Sequence, residues 1–452
     1  MNRGTYGYPL PPNYATRVAP ARWTNARAYT RAGTYTDFVV PANVFQIGVM
    51  VVGAGGSGAM ATASTGNVAT GGGGGGFAFG ILDVTPGQVL PTITVGAGGA
   101  AINTLSNTNG NAGGTSSFGT IVTCTGGSGG SSPNVQTNGT GGAGGTATVT
   151  GLRSSVASTG GRGGTVTSAA IVYKTTGGGA AGGFFASGNG GDLIPTGGNL
   201  EVYATGGAGW GGNGSGINST VNTNTTGFAF GGGAFNFNGA SLFNVASNQA
   251  GSGAGTAGFG FFVGALNSSN SSLGGNGIIG APTQPLVPVA AAATNFTIQS
   301  PGGSGFLSST ASNPYLLLVD LNFGGAGGNS YLQTSTSSNI YAAGSGGNGG
   351  GGGGFHNTGI QGSSIMLAGD GGMCGGGGGM TSIAQIRAGK SGNGGFFGGG
   401  GGFSTNASTD FASAGDGGNG GGGGGISTAG NTVRLSGAGG AGAVILYWTD
   451  GY

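Results

Sequence analysis

Charge is almost missing from this chain. Only 4% of its 452 residues are Asp, Glu, Lys or Arg, where soluble domains average about a quarter. Hydrophobic residues still make up 36%, so the weakly hydrophobic, highly charged composition of disordered chains is excluded. There is one histidine. A Ser-His-Asp arrangement would rest on His356 alone, which follows a glycine run where a loop is expected. The two cysteines, Cys124 and Cys374, are too few for a disulfide framework. Cys124 reads as a small core residue. Proline is 14 of 452, and glycine follows no strict every-third pattern, which excludes a collagen triple helix. No apolar run approaches the length of a membrane helix. The first 31 residues lack the apolar stretch of a signal peptide, so synthesis in a cytoplasm is expected.

What is abundant is glycine, 120 residues. Ordering glycine costs about 0.5–1 kcal/mol more than ordering alanine, so a folded chain of this kind needs dense backbone hydrogen bonding. Four twelve-residue segments carry one pattern: Gly, a small polar or acidic residue, Gly-Gly, two variable residues, five Gly, then an apolar residue. They run 344–355, 369–380, 392–403 and 415–426. A flexible linker keeps no such register. Helix and strand are both disfavoured for glycine runs. The three-residue extended helix remains, with its N–H and C=O groups pointing outward to neighbouring chains. The expectation is a bundle of polyglycine-II-type rods, each about 37 Å long. Positions two and five of each segment then share a face: Ser345 with Asn348, Asp370 with Met373, Asn393 with Phe396, Asp416 with Asn419.

The basic residues are unevenly placed. Residues 1–31 hold Arg3, Arg17, Arg22, Arg27 and Arg31 and no acid. Tyr6, Tyr8, Tyr14, Trp23 and Tyr29 are interleaved with them, along with several prolines. Arg, Tyr and Trp are common anchors of protein interfaces. We read 1–33 as an extended arm docking on a partner protein, with Tyr6, Tyr8, Arg17, Arg22, Trp23, Arg27 and Arg31 as its contacts. Nucleic-acid binding is the other reading of a basic arm, disfavoured by loose spacing and the lack of Lys.

Strand signals begin at Thr34. Residues 34–40, 44–52, 77–84, 89–95, 120–125, 169–174, 314–323 and the closing 443–448 read as strands. Thr85-Pro86-Gly87 reads as a turn, and Pro91 marks an edge. The stretches TYTDFVVPANVFQIGVMVVGAGGSG, FAFGILDVTPGQVLPTITVGAGG, GGTSSFGTIVTCTGGSGG and the terminal GAGGAGAVILYW resemble the glycine-rich domain of bacteriophage tail proteins. The resemblance covers 34–130 and 430–449, and the middle only by composition. The later repeats are similar to the polyglycine core of tail-fibre tip adhesins. Residues 281–293 read as a connector. The eight Phe between 228 and 262 read as a local core or an aromatic contact surface.

Gly53–Gly58 matches G-x-G-x-x-G after a strand, but neither a helix nor a correctly spaced acid follows. Gly389-Lys390-Ser391 lacks the earlier glycine of a P-loop. Glycoside cleavage needs two carboxylates near each other, and Asp370 and Asp416, at equivalent repeat positions, are the candidate pair, though a solvated rim suits them better.

The expected fold is mainly β with glycine-rich loops: an arm at 1–33, a β-sandwich-like module at 34–175, an irregular region at 176–343 and a repeat bundle with a closing strand at 344–452. The resemblance implies a non-enzymatic virion protein, a tail fibre or tail-tip protein that attaches to the host. A capsid or head-fibre decoration protein, a polysaccharide-degrading spike and an ice-binding glycine bundle are the alternatives. Its partners would be other virion proteins, a host receptor or glycan, and two further copies in a trimer, with no cofactor, metal, nucleic acid or membrane insertion. Connections 356–368, 381–391, 404–414 and 427–436 are expected to present His356, Gln361, Gln385, Arg387, Lys390, Asp410, Phe411, Asn431 and Arg434 to the receptor.

Overall fold

The computed structural model describes residues 23–62, 68–133, 138–167, 172–184, 187–195, 201–214, 216–219, 226–228, 242–245, 251–252, 255–256, 262–263, 330–332, 340–343, 345, 351–357, 364–372, 374–383, 385–407, 409–429 and 431–450. The described chain is mainly β, in several sheets, with no helix among the described residues. The strand expected at 314–323, the connector at 281–293 and most of the Phe-rich stretch lie outside the described residues.

Two antiparallel five-stranded sheets enclose the first core. One runs Asn25–Tyr29, Ala443–Trp448, Gln46–Val52, Phe77–Asp83, Arg153–Ser158; the other runs Ala147–Val149, Val122–Cys124, Ser116–Phe118, Ile93–Val95, Gly33–Tyr35. Ile47, Val49, Val51, Val444 and Leu446 from the first meet Ile93, Val95, Phe118 and Val122 from the second. The closing strand sits beside the first long strand as its sequence suggested, with Gly48 opposite Tyr447 and Val52 opposite Ala443. Thr85-Pro86-Gly87 does make the turn: Gln88 N–H donates to Thr85 O at 3.0 Å and Gly87 takes φ 78°. The strand expected at 89–95 is confined to Ile93–Val95, because Pro91 has no N–H to add to a ladder.

The two sheets also absorb part of the expected arm. Asn25–Tyr29 pairs antiparallel with the closing strand, and Gly33–Tyr35 pairs with Ile93–Val95. The extended arm therefore does not reach residue 33.

Beyond the first sheet the chain becomes a lattice of glycine segments. The segment 53–60 shows the rule. Gly53, Gly56 and Ala59 donate to Gly76, Gly73 and Thr70; Ala54, Ser57 and Met60 donate to Gly114, Asn111 and Thr108; Gly55 and Gly58 donate to Gly440 and Gly437. Every third N–H goes to the same neighbour. The segment 70–76 is surrounded: it bonds to segments 53–59, 125–131, 142–145, 161, 179–182 and 420–423. Nearly every buried backbone group in it is thereby satisfied, which a loop at that depth would not achieve.

The C-terminal repeats stack as coils on this lattice, but not as straight rods. Within the last three twelve-residue segments the chain doubles back: Gly401 donates to Gly392 and Gly398 to Gly395, and the pairs Gly424–Gly415, Gly421–Gly418, Gly378–Gly369 and Gly375–Gly372 repeat this. The two variable residues are the turn. Cys374, Phe397 and Gly420, all in the sixth position, take φ of 67°, 67° and 74°, the positive φ that a type II turn needs at its third residue. The single 37 Å rod is thus replaced by two arms of half that length, and positions two and five do not share a rod face. Left-handed backbone costs a non-glycine residue roughly 1–2 kcal/mol. Phe397 offsets it by burial: it joins Cys374, Trp210, Ala181 and Phe77 against Met50, Val52, Ile445 and Tyr447 on the outer face of the first sheet.

Each pair of arms continues into two strands, and successive coils pair in parallel. Phe355, Met380, Phe403, Ile426 and Met60 stand in one row of the ladder Ser330–Leu332, Phe355–Asn357, Met380–Ser382, Phe403–Thr405, Ile426–Thr428, Met60–Thr62. A second parallel ladder joins Ile340–Ala342, Ile365–Leu367, Ile386–Lys390, Thr409–Ser413 and Asn431–Leu435. The middle of the chain repeats the scheme, with Val172–Thr175 between Val68–Ala69 and Glu201–Ala204. Residues 34–175 and 344–452 are therefore interleaved in the same sheets and glycine lattice.

Candidate interaction surface

The parallel ladders decide which side chains are grouped. Strands Met380–Ser382, Phe403–Thr405 and Ile426–Thr428 run side by side and parallel, so the chain leaves all three at the same end of the coils. The hairpin turns lie at the other end, against the first sheet.

Most of the residues expected in loops belong to strands. His356 lies in Phe355–Asn357; Arg387 and Lys390 in Ile386–Lys390; Asp410 and Phe411 in Thr409–Ser413; Asn431 and Arg434 in Asn431–Leu435. Three of the connections, 383–385, 406–408 and 429–430, are only two or three residues long, so the residues beside them join the ladders. Gln385 is exposed in its connection, while Gln361 lies outside the described residues. Register aligns Ala388, Phe411 and Val433 across neighbouring strands. Arg387 and Asp410 are exposed, and Val433 is 42% exposed. Arg434 is different: it is buried, and loss of hydration holds its guanidinium below the ordinary value. It is not a surface contact. Sequence reasoning missed the exposed Ile383 and Val433; Val433 is placed by the ladder, opposite Phe411, and not by any local motif.

The acidic positions of the repeats are linked into a chain. Asp370 Oδ1 accepts the N–H of Asn393 at 2.7 Å, Asn393 Oδ1 accepts that of Asp416 at 3.0 Å, and Asp416 Oδ1 accepts that of Ala438 at 2.8 Å. Asp370, Asn393 and Asp416 each cap the next coil, so Asp370 and Asp416 stand two coils apart with Asn393 between them. A second chain runs along the opposite layer, where Asn213 Oδ1 accepts Asn189 N–H and Asn189 Oδ1 accepts Arg162 N–H. Arg162 grips Asp192 with two bonds of 2.7 Å. Burial pushes the Asp192 carboxyl up, but Arg162 and the Thr165 N–H outweigh it and hold the group below its ordinary value.

Where the chain enters the body, Trp23 lies against Gly48. Arg27 is paired with Asp37 and lies 5.2 Å from the Tyr29 ring centre. Burial and the Asp37 bond push Tyr29 up to about 12. Trp23 and Arg27 thus have partners within the body; Arg31 is exposed. Tyr6, Tyr8, Arg17 and Arg22 lie outside the described residues. Both thiols are buried, which pushes Cys124 and Cys374 up to about 12. Among the described residues, no group of three or more His, Cys, Asp or Glu is placed to hold a metal.

A comparison with curated proteins finds no match to this chain. The profile of the family described as glycine-rich domain matches residues 30–284, from the first sheet through the middle coils. It covers more than half of the sequence and extends through 131–284, where the resemblance rested on composition alone, so the chain belongs to the glycine-rich domain family.

Proposed function

We propose that this is a virion structural protein of a tailed phage, a tail-fibre or tail-tip protein that attaches to the host. In this reading the two facing sheets are a β-sandwich, and the glycine segments are polyglycine-II-type helices, a scaffold whose stability resides in backbone bonds. One observation carries the proposal. The chain enters beside Gly48, at the far end of a strand that leads through 53–59 to Met60–Thr62, while connections 383–385, 406–408 and 429–430 gather at the other end. A body entered at one end and displaying short variable turns at the other suits a protein anchored by its N-terminal residues and presenting a contact surface outward. The basic, aromatic residues 1–22 are the anchor; Gln385, Arg387, Lys390, Asp410 and Phe411 are the candidate receptor contacts. A homotrimer in the particle is the assembly we favour. Against a polysaccharide-cleaving spike stands the separation of Asp370 from Asp416 by Asn393.

The test replaces 383–385 and 406–408 separately with Asn/Ser turns of equal length. Both variants should assemble into particles and adsorb poorly to host cells. Normal adsorption of both would place the receptor surface elsewhere.

A further inference from the structure

Asn-Gly is the peptide link most prone to deamidation. The glycine N attacks the Asn Cγ, ammonia leaves with the glycine proton, and water opens the resulting succinimide to aspartate or isoaspartate. This chain has nine such links, at Asn109, Asn138, Asn189, Asn213, Asn238, Asn276, Asn348, Asn393 and Asn419, and six of them are described. In all six the attacking glycine N–H is already bonded to another segment: Gly110 to Gly130 O, Gly139 to Val166 O, Gly190 to Arg162 O, Gly214 to Asn189 O, Gly394 to Asp416 O and Gly420 to Ala441 O, at 2.7–3.0 Å. The asparagine side chains are held as well. Asn109 accepts Ser132 N–H at 2.7 Å, and Asn419 Nδ2 lies 3.0–3.3 Å from three carbonyl oxygens, those of Thr30, Ala441 and Gly442.

We propose that the glycine lattice is a chemical lock on its own Asn-Gly links: they are inert to succinimide formation while their segments are paired, and are modified only where the lattice opens. The lock is the inter-segment hydrogen bond and not exclusion of water, because Asn109 and Asn138 are exposed. Modification would be permanent. Isoaspartate adds one carbon to the backbone of a segment whose bonds recur every third residue, and conversion of Asn393 sets a carboxylate between those of Asp370 and Asp416.

The experiment holds the full-length protein at 37 °C and mildly alkaline pH, folded in buffer or unfolded in guanidinium. Conversion at each site is read by peptide mass spectrometry with isoaspartate detection. All six sites should convert more than about tenfold more slowly in the folded protein, Asn109 and Asn138 included. Conversion of those two exposed sites at the unfolded rate, with protection confined to the less exposed ones, would show that burial is the protecting agent and overturn the proposal.

Discussion

Gly74→Ala tests the lattice most directly. A Cβ at Gly74 falls 1.9 Å from the carbonyl oxygen of Ala180 and 2.3 Å from its carbon. Carbon and carbonyl oxygen approach to about 3.3 Å, so segments 70–76 and 177–182 must part by more than about 1 Å. Two bonds then fail, Gly179 N–H to Gly72 O and Gly182 N–H to Gly75 O, both 2.9 Å. The four backbone groups left behind cost about 1–3 kcal/mol each, roughly 4–12 in all. The lower entropy of unfolded alanine returns only about 0.5–1 kcal/mol. Domain stabilities run about 5–15 kcal/mol, so Gly74→Ala should yield little folded protein. Gly114→Ala is the matched control: its Cβ meets nothing closer than 3.0 Å, at Ala97 N, and it should fold with a loss of about 1–2 kcal/mol. Soluble yield and urea unfolding followed by tryptophan fluorescence distinguish them. Equal unfolding midpoints for Gly74→Ala and the parent would refute the close-packed backbone argument.

Three further outcomes follow. Removing residues 1–22 should leave stability unchanged and abolish incorporation into particles, whereas removing 1–31 also deletes the strand Asn25–Tyr29 and buried Tyr29 and should lower the thermal midpoint, with at least about 1.5–3 kcal/mol lost. The turn residues should respond oppositely to glycine: Phe397→Gly relieves left-handed strain but empties an aromatic site beside Trp210, for a net loss of about 2–3 kcal/mol, while Cys374→Gly stays within about 1 kcal/mol of the parent, both read by denaturant titration. Because Asp192 titrates below its ordinary value in the folded state, its contribution is present above the unfolded carboxyl range and is lost as pH falls through the folded value. Asp192→Asn should therefore flatten the acid limb of unfolding midpoints measured between about pH 2 and 6, and an unchanged limb would remove Asp192 as its source.

The sequence by itself determined the local elements and their period. Apolar runs bounded by proline and glycine marked strands at 44–52 and 77–84, the closing strand was plain, Pro86-Gly87 announced its turn, and the fixed spacing of the glycine segments announced a structural repeat. It also gave the reason for ordering glycine, since bare backbone must bond to backbone. Only the tertiary structure decided that the glycine segments 369–380, 392–403 and 415–426 fold back at their variable residues. Nothing local forbids a straight path through Phe396-Phe397; the turn is fixed by the apolar face of Met50, Val52 and Tyr447 that receives those side chains. The same holds for the candidate contact surface. Arg387, Asp410 and Phe411 were legible as chemical variety in a monotonous stretch, yet their place on strands, and the burial of Arg434 among them, depend on pairing between coils 22 or 23 residues apart. A glycine chain writes almost no side-chain pattern, so its register is set by which backbones can come within hydrogen-bonding distance, and that is a property of the packed lattice.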